Sequence, residues 1–216
     1  GAVPLERWGG LLLTIVLAAV AIGLSFPLGV LLALGRRGGL PLVRLLCALF
    51  IELVRGLPLV TLLFMAALIV PLALPDGWRP DAIVRAAIGL TLFSAAYLAE
   101  DVRGGLDAVG PGQVEAARAL GLTPVATVRL VVLPQALRSV VPAVVGQFIA
   151  LLKDTSLVVI VGLTELLGVA RSVVNQPAFL GRFPEALLFA AAVYFLLCRG
   201  LSTVSRTFET QPGARP

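Results

Sequence analysis

The sequence predicts an all-α integral membrane protein with about five transmembrane helices, forming a single domain over residues 1–216. Three observations carry that expectation. Mean hydropathy is +1.02. Hydrophobic residues make up 59% of the chain and charged residues 13%, whereas a soluble domain carries about 25% charged residues. The apolar residues also fall into long runs, each near the roughly 20 residues that a helix needs to cross a bilayer.

Residues 1–10 form a polar lead in which Trp8 reads as an interfacial anchor. Residues 11–34 are the first span, with Pro27 as an expected kink. That run is too long for a signal-peptide core and lacks a basic start and a small-residue cleavage site. Whether further spans precede Gly1 is left open. Gly35-Arg36-Arg37-Gly38-Gly39 reads as a tight basic loop. Residues 41–74 are one apolar stretch interrupted by Glu52, Arg55, Gly56 and Pro58. At about 1.5 Å per residue this exceeds one membrane thickness. It reads as a single span broken at residues 56–58, with two re-entrant half-spans as the alternative.

Residues 75–80, with Asp76, Gly77 and Trp78, read as a turn carrying an interface anchor. The third span covers 83–103 and ends among Glu100, Asp101 and Arg103-Gly104-Gly105. A central loop covers 104–138, and the fourth span, 140–163, contains Lys153 and Asp154. Residues 165–184 read as a connector with short helical pieces, 185–205 as the fifth span, and the tail after Arg206 as polar and frayed.

Five spans put the termini on opposite sides. Arg36, Arg37, Arg44, Arg103, Arg118, Arg129, Arg138, Arg199, Arg206 and Arg215 share one side; Arg7, Arg79, Arg85, Arg171 and Arg182 share the other. The arginine-rich side is expected to be cytoplasmic. The N-terminus is then outside, and the C-terminus and central loop face the cytosol.

Several functions are excluded or disfavoured. The net charge of +5 comes from arginines dispersed along the loops, without an aromatic-studded basic cluster, so nucleic acid is not an expected partner. There is no G-x-x-x-x-G-K-[ST] phosphate loop, and the single Lys lies in a span. With no His and no paired-Cys spacing, neither a zinc centre nor a Ser-His-Asp triad is available. Cys47 and Cys198 lie in distant apolar runs and make no disulfide framework.

The chain turns polar, helical and punctuated at residues 115–134, EAARALGLTPVATVRLVVLP. Glu115, Ala116, Ala117, Ala119 and Leu120 favour helix. Gly121 sits where a helix stops in the left-handed conformation. Thr123-Pro124 reads as N-cap and first-turn proline of a second helix. That helix is expected to end near Leu133-Pro134, because Pro lacks a donor. Glu115 is a candidate for stabilising its own helix N-terminus through the dipole. A short helix of small residues can approach another protein closely and dock in a groove; the plain alternative is a connecting helix.

This loop resembles the signature of the membrane subunits of ABC importers: EAA, three residues, Gly, nine residues, Ile, one residue, Leu-Pro. Glu115-Ala116-Ala117, Gly121 and Leu133-Pro134 hold that spacing, with Val131 in place of Ile. Glu52-Leu53-Val54-Arg55-Gly56-Leu57-Pro58, Ala96-Tyr97-Leu98-Ala99-Glu100 and Lys153-Asp154-Thr155-Ser156-Leu157 are similar to the polar and general L-amino-acid branch. The resemblance covers nearly the whole chain. It implies a type I importer permease fold, a non-catalytic subunit in a bacterial inner membrane, and a cytoplasmic ATPase dimer that binds ATP and Mg, this chain holding no cofactor. It also implies a second, related permease subunit and an external amino-acid-binding protein. ATPase coupling is expected through Glu115, Ala116, Ala117, Arg118, Leu120, Gly121, Leu133 and Pro134.

Charges inside the membrane form the second constellation. Glu52 and Arg55 are three apart and can pair on one helix face. Lys153 and Asp154 are neighbours, point apart, and each needs a partner from elsewhere. Unpaired exposure to lipid costs several kcal/mol. Glu52, Arg55, Lys153, Asp154 and Thr155 are therefore candidates for a path receiving a zwitterionic amino acid, the cation meeting its carboxylate and the acid its ammonium. The alternative is salt bridging that fixes the fold, the role expected for Glu100 with Arg103. An ion-coupled secondary carrier or channel would use the same charges as a relay, and a scaffold would need no path; neither gives residues 115–134 a role.

Overall fold

The computed structural model describes residues 9–75 and 80–209; Trp8, the turn around Asp76 and Trp78, and the tail from residue 210 lie outside the described residues. The described chain is helical: α1 (Gly10–Arg37), α2 (Pro41–Gly56), α3 (Leu59–Ala73), α4 (Ala82–Ala108), α5 (Pro111–Ala119), α6 (Pro124–Thr127), α7 (Leu133–Asp154), α8 (Leu166–Val174) and α9 (Phe183–Glu209). Four helical stretches are long and apolar enough to cross a membrane, and the α2–α3 pair, bent by 109°, makes up to five.

The α2–α3 bend falls at Leu57-Pro58. Pro58 caps α3 in extended backbone (ψ 142°), and Leu57 is extended too (ψ 142°), as a residue before Pro prefers. Inside α3, Pro71 has no N–H for the carbonyl of Ala67, four residues back. Arg85 Nη1 of α4 donates to that carbonyl at 2.8 Å. An arginine expected only to mark the outer side thus repairs a helix break in its neighbour.

The core is built around α4. Leu17 and Ala21 of α1 meet Ala86 and Leu90, and further along Ala33 meets Ala99 and Val102, so α1 and α4 run parallel. Close approach is possible because Gly29 replaces a side chain: a Cβ there would lie 2.8 Å from Leu98 Cβ. Helix α7 runs antiparallel to α4. At their crossing, a Cβ on Gly105 would fall 2.6 Å from both Ala136 O and Val140 Cγ1. Helix α9 turns Leu188, Phe189, Phe195 and Leu196 outward.

Three expectations are corrected, the first being the basic loop at 35–39: α1 runs through Arg37, so Gly35-Arg36-Arg37 is its last turn and only Gly38 and Gly39 lie beyond it. Helix α4 continues to Ala108, through the Gly104-Gly105 stretch where the third span was expected to stop. The helix begun at Pro124 does not end at Leu133-Pro134. Residues Val128–Val132 form a π turn in which Leu133 N–H donates to Val128 O, and the helix runs on through Val161. The wider turn removes the need for the donor that Pro134 lacks. Pro134 then sits in the first turn of α7, where a missing N–H costs nothing. Beyond Asp154 the helix tightens to a 3₁₀ segment, Thr155–Val161, and stops at Gly162 with φ +85°. The connector holds short helical pieces, as expected: α8 and a 3₁₀ turn at Pro177–Phe179.

Candidate functional site

The elbow between α5 and α6 forms as its residues dictate. Gly110 precedes Pro111 at the first turn of α5. At its other end Leu122 N–H donates to Ala117 O (3.1 Å) and Gly121 N–H to Arg118 O (2.9 Å), with Gly121 at φ +79°. This is the paired-bond C-cap that requires a left-handed residue. Thr123 then caps α6, accepting from Ala126 N–H at 3.3 Å. Ala117 is buried, while Glu115, Ala116 and Arg118 are exposed. So are Leu120 (83%) and Val125 (77%), unusually large apolar side chains for a loop tip. The elbow is tied to the body of the chain: Val114 and Leu133 pack on the core of Ala33, Ala99, Val102 and Ala136, and Gln135 Nε2 donates to Gln113 Oε1 at 3.3 Å. Pro134 is exposed. One expectation fails. Helix α5 starts at Pro111, so Glu115 lies beyond the first turn where the dipole acts.

The membrane charges divide into two groups. Glu52 and Arg55 do not pair with each other. Arg36 Nη2 donates to Glu52 Oε1 at 3.0 Å, and Arg55 Nη1 lies 3.6 Å from Glu100 Oε2, its guanidinium over the Tyr97 ring at 5.3 Å. The reason is geometric: α2 crosses the ends of α1 and α4, so its charged face meets Arg36 and Glu100. Glu100 is the centre, accepting from Arg36 (2.6 Å) and Arg103 (3.0 and 3.1 Å) as well. Arg103 and Arg37 reach Asp107 at 2.8 and 3.6 Å. Three helices are thus joined by a lattice of opposite charges. The expected Glu100–Arg103 pair is present within it.

Lys153 and Asp154 stand apart from that lattice. Lys153 is exposed and Asp154 half-buried, and neither makes an ion pair among the described residues. Thr155 is buried, and its hydroxyl donates to Leu152 O at 2.7 Å.

Reading the sequence missed Glu165. It is fully buried, with no cation beside it among the described residues. Its carboxylate caps α8, accepting from Leu167 N–H and Gly168 N–H at 2.8 Å each, and from Tyr194 O–H of α9 at 2.8 Å. Beside it, Thr14 Oγ1 of α1 accepts from Leu166 N–H at 3.1 Å, and Gly10 N–H donates to Thr164 O at 2.9 Å. The only cue was an acid just ahead of the apolar run Leu166-Leu167-Gly168-Val169.

Comparison with known proteins places this arrangement. Residues 25–208 match the family described as binding-protein-dependent transport system inner membrane component. The chain is 47% identical over 207 residues to an inner membrane amino-acid ABC transporter permease protein, YhdY, of Escherichia coli strain K12 (96% of this chain, 56% of that one). It is 45% identical over 205 residues to the glutamate/glutamine/aspartate/asparagine transport system permease protein BztC of Rhodobacter capsulatus (94% of this chain, 47% of that one). It therefore spans about half the length of these curated relatives. Among solved structures, a chain of an amino acid ABC transporter crystallised with histidines superposes with a TM-score of 0.81 at 31% identity, covering 93% of this chain and 91% of that one. With its parallel α1–α4 core, its exposed elbow and this match over most of its length, the chain belongs to the family of binding-protein-dependent transport system inner membrane components.

Proposed function

We propose that the chain is a permease subunit of an ABC importer for amino acids, acting with a cytoplasmic ATPase dimer, a second, related permease subunit and an external binding protein. The observation that carries this is the elbow. Leu120 and Val125 are held exposed on a rigid, doubly capped corner that continues through a π turn into a spanning helix. A partner gripping that corner moves α7 with it. ATP and Mg are held by the partner, and the pore reorients as a rigid-body, two-state event. The arginine bias supports an elbow in the cytosol with Gly10 outside. The amino-acid class rests on the names of the relatives. The lattice neutralises Glu52 and Arg55 within the chain, which leaves Lys153 and Asp154 for a zwitterionic substrate.

The test is uptake in proteoliposomes holding the whole complex. Gly121→Val, which puts a β-branched residue at φ +79°, and Glu115→Lys on the exposed face should abolish ATP-driven uptake while the subunit still inserts. Normal uptake in both variants would overturn the reading.

A further inference from the structure

A groove of about 480 Å³ runs between α1 and α7, away from the elbow and the ion lattice. Its walls are Ile22 and Phe26 on one side and Val141, Val145 and Phe148 on the other. Beside them Gly23 is exposed, and an added Cβ there would meet nothing within 4 Å. One end is closed by Phe26 and Phe148, which meet edge to face at 6.3 Å and 75°. The other end carries the one charged lining residue, Arg138. Arg138 is exposed and makes no ion pair or hydrogen bond among the described residues.

Depth decides what fits. Along α7, ten residues separate Arg138 from Phe148, about 15 Å at 1.5 Å each. That is half of the roughly 30 Å hydrocarbon layer, or one leaflet. Arg138 lies between Ala136 and Val140, which touch Gly105, close to the level of Arg103 and Glu100, where the charges of α4 gather. Along α7 there is thus a cation at headgroup level and, half a bilayer deeper, an apolar cleft against α1 bounded by the Phe26–Phe148 pair.

We propose that this groove binds one acyl chain of an anionic phospholipid from the leaflet facing the elbow, with the lipid phosphate on Arg138. A guanidinium matches a phosphate through paired N–H donors. A headgroup without its own ammonium leaves Arg138 as the counter-charge, which favours anionic over zwitterionic lipid. The proposal needs only that the helices span a bilayer, so it stands whichever substrate the importer takes.

Phosphatidylglycerol and phosphatidylcholine, each with a photoactivatable diazirine on the acyl chain, test it in nanodiscs containing the whole purified complex, with adducts mapped by mass spectrometry. Phosphatidylglycerol should label residues 137–148 at least threefold more than phosphatidylcholine. Gly23→Leu, which adds an apolar side chain where a Cβ meets nothing within 4 Å, and Arg138→Gln should each reduce that label at least fivefold. Equal labelling by the two lipids, or labelling unchanged in both variants, would overturn the proposal. So would protection by added amino acid, which would make the groove part of the path, or a photocrosslink from benzoylphenylalanine at position 145 to the second permease subunit, which would make it an interface.

Discussion

Replacing Glu100 by Gln tests whether the charge lattice holds α1, α2 and α4 together. The Glu100 side chain is 17% exposed and accepts from Arg36 at 2.6 Å and Arg103 at 3.0 Å, with Arg55 at 3.6 Å. The amide keeps the shape and removes the charge, leaving three guanidinium groups facing one another. Breaking a buried charged cluster at one member costs about 3–5 kcal/mol, and partial exposure here discounts that to about 2–4 kcal/mol. Glu52 is the internal control. It is 65% exposed with a single contact to Arg36 at 3.0 Å, so Glu52→Gln should cost under about 1 kcal/mol. At about 2–4 °C per kcal/mol for a chain of this size, Glu100→Gln should lower Tm by roughly 4–16 °C and Glu52→Gln by less than about 4 °C. The assay is thermal loss of the monodisperse complex in detergent, at low and high salt. Equal shifts for the two variants, or no shift for Glu100→Gln, would refute the reasoning.

Other outcomes follow from single contacts. Tyr194→Phe removes the one side-chain donor to the buried Glu165 among the described residues while leaving its two backbone donors, and should cost about 1.5–3 kcal/mol in the same melt. Arg85→Leu strips the Ala67 carbonyl of its donor, a loss of about 1–3 kcal/mol. Pro71→Ala supplies an N–H in its place, so a double-mutant cycle should show the two changes coupled rather than additive. Gly105→Ala pushes a methyl group against Ala136 O and should cost about 1–3 kcal/mol, whereas Gly104→Ala, with nothing within 4 Å, should be neutral or stabilising. Thermal melts of each purified variant check these values.

The spans were legible because lipid demands long apolar runs, and the elbow because Gly121, Thr123 and Pro124 each act through their own backbone. What stayed hidden depends on contacts between segments far apart in the chain. Arg36 looked like a loop charge, and only the crossing of α2 over α1 reveals it as partner to Glu52 and Glu100. Glu165 looked like connector, since its donors come from α8 and, 29 residues away, from Tyr194. Pro134 misled for a different reason. A proline predicts a break, but a five-residue hydrogen bond from Leu133 to Val128 absorbs it locally, and nothing in the side-chain pattern distinguishes the two.

That π turn has a mechanical consequence. Because it spares the chain a joint, residues Pro124–Val161 form one 38-residue strut, on the order of 55 Å long. Lys153 and Asp154 ride near its far end, and the elbow forms its near end. Lys153 lies about 42 Å along the helix from Val125, so a tilt of about 3–5° imposed at Val125 would become a sideways displacement of about 2–4 Å at those two charges.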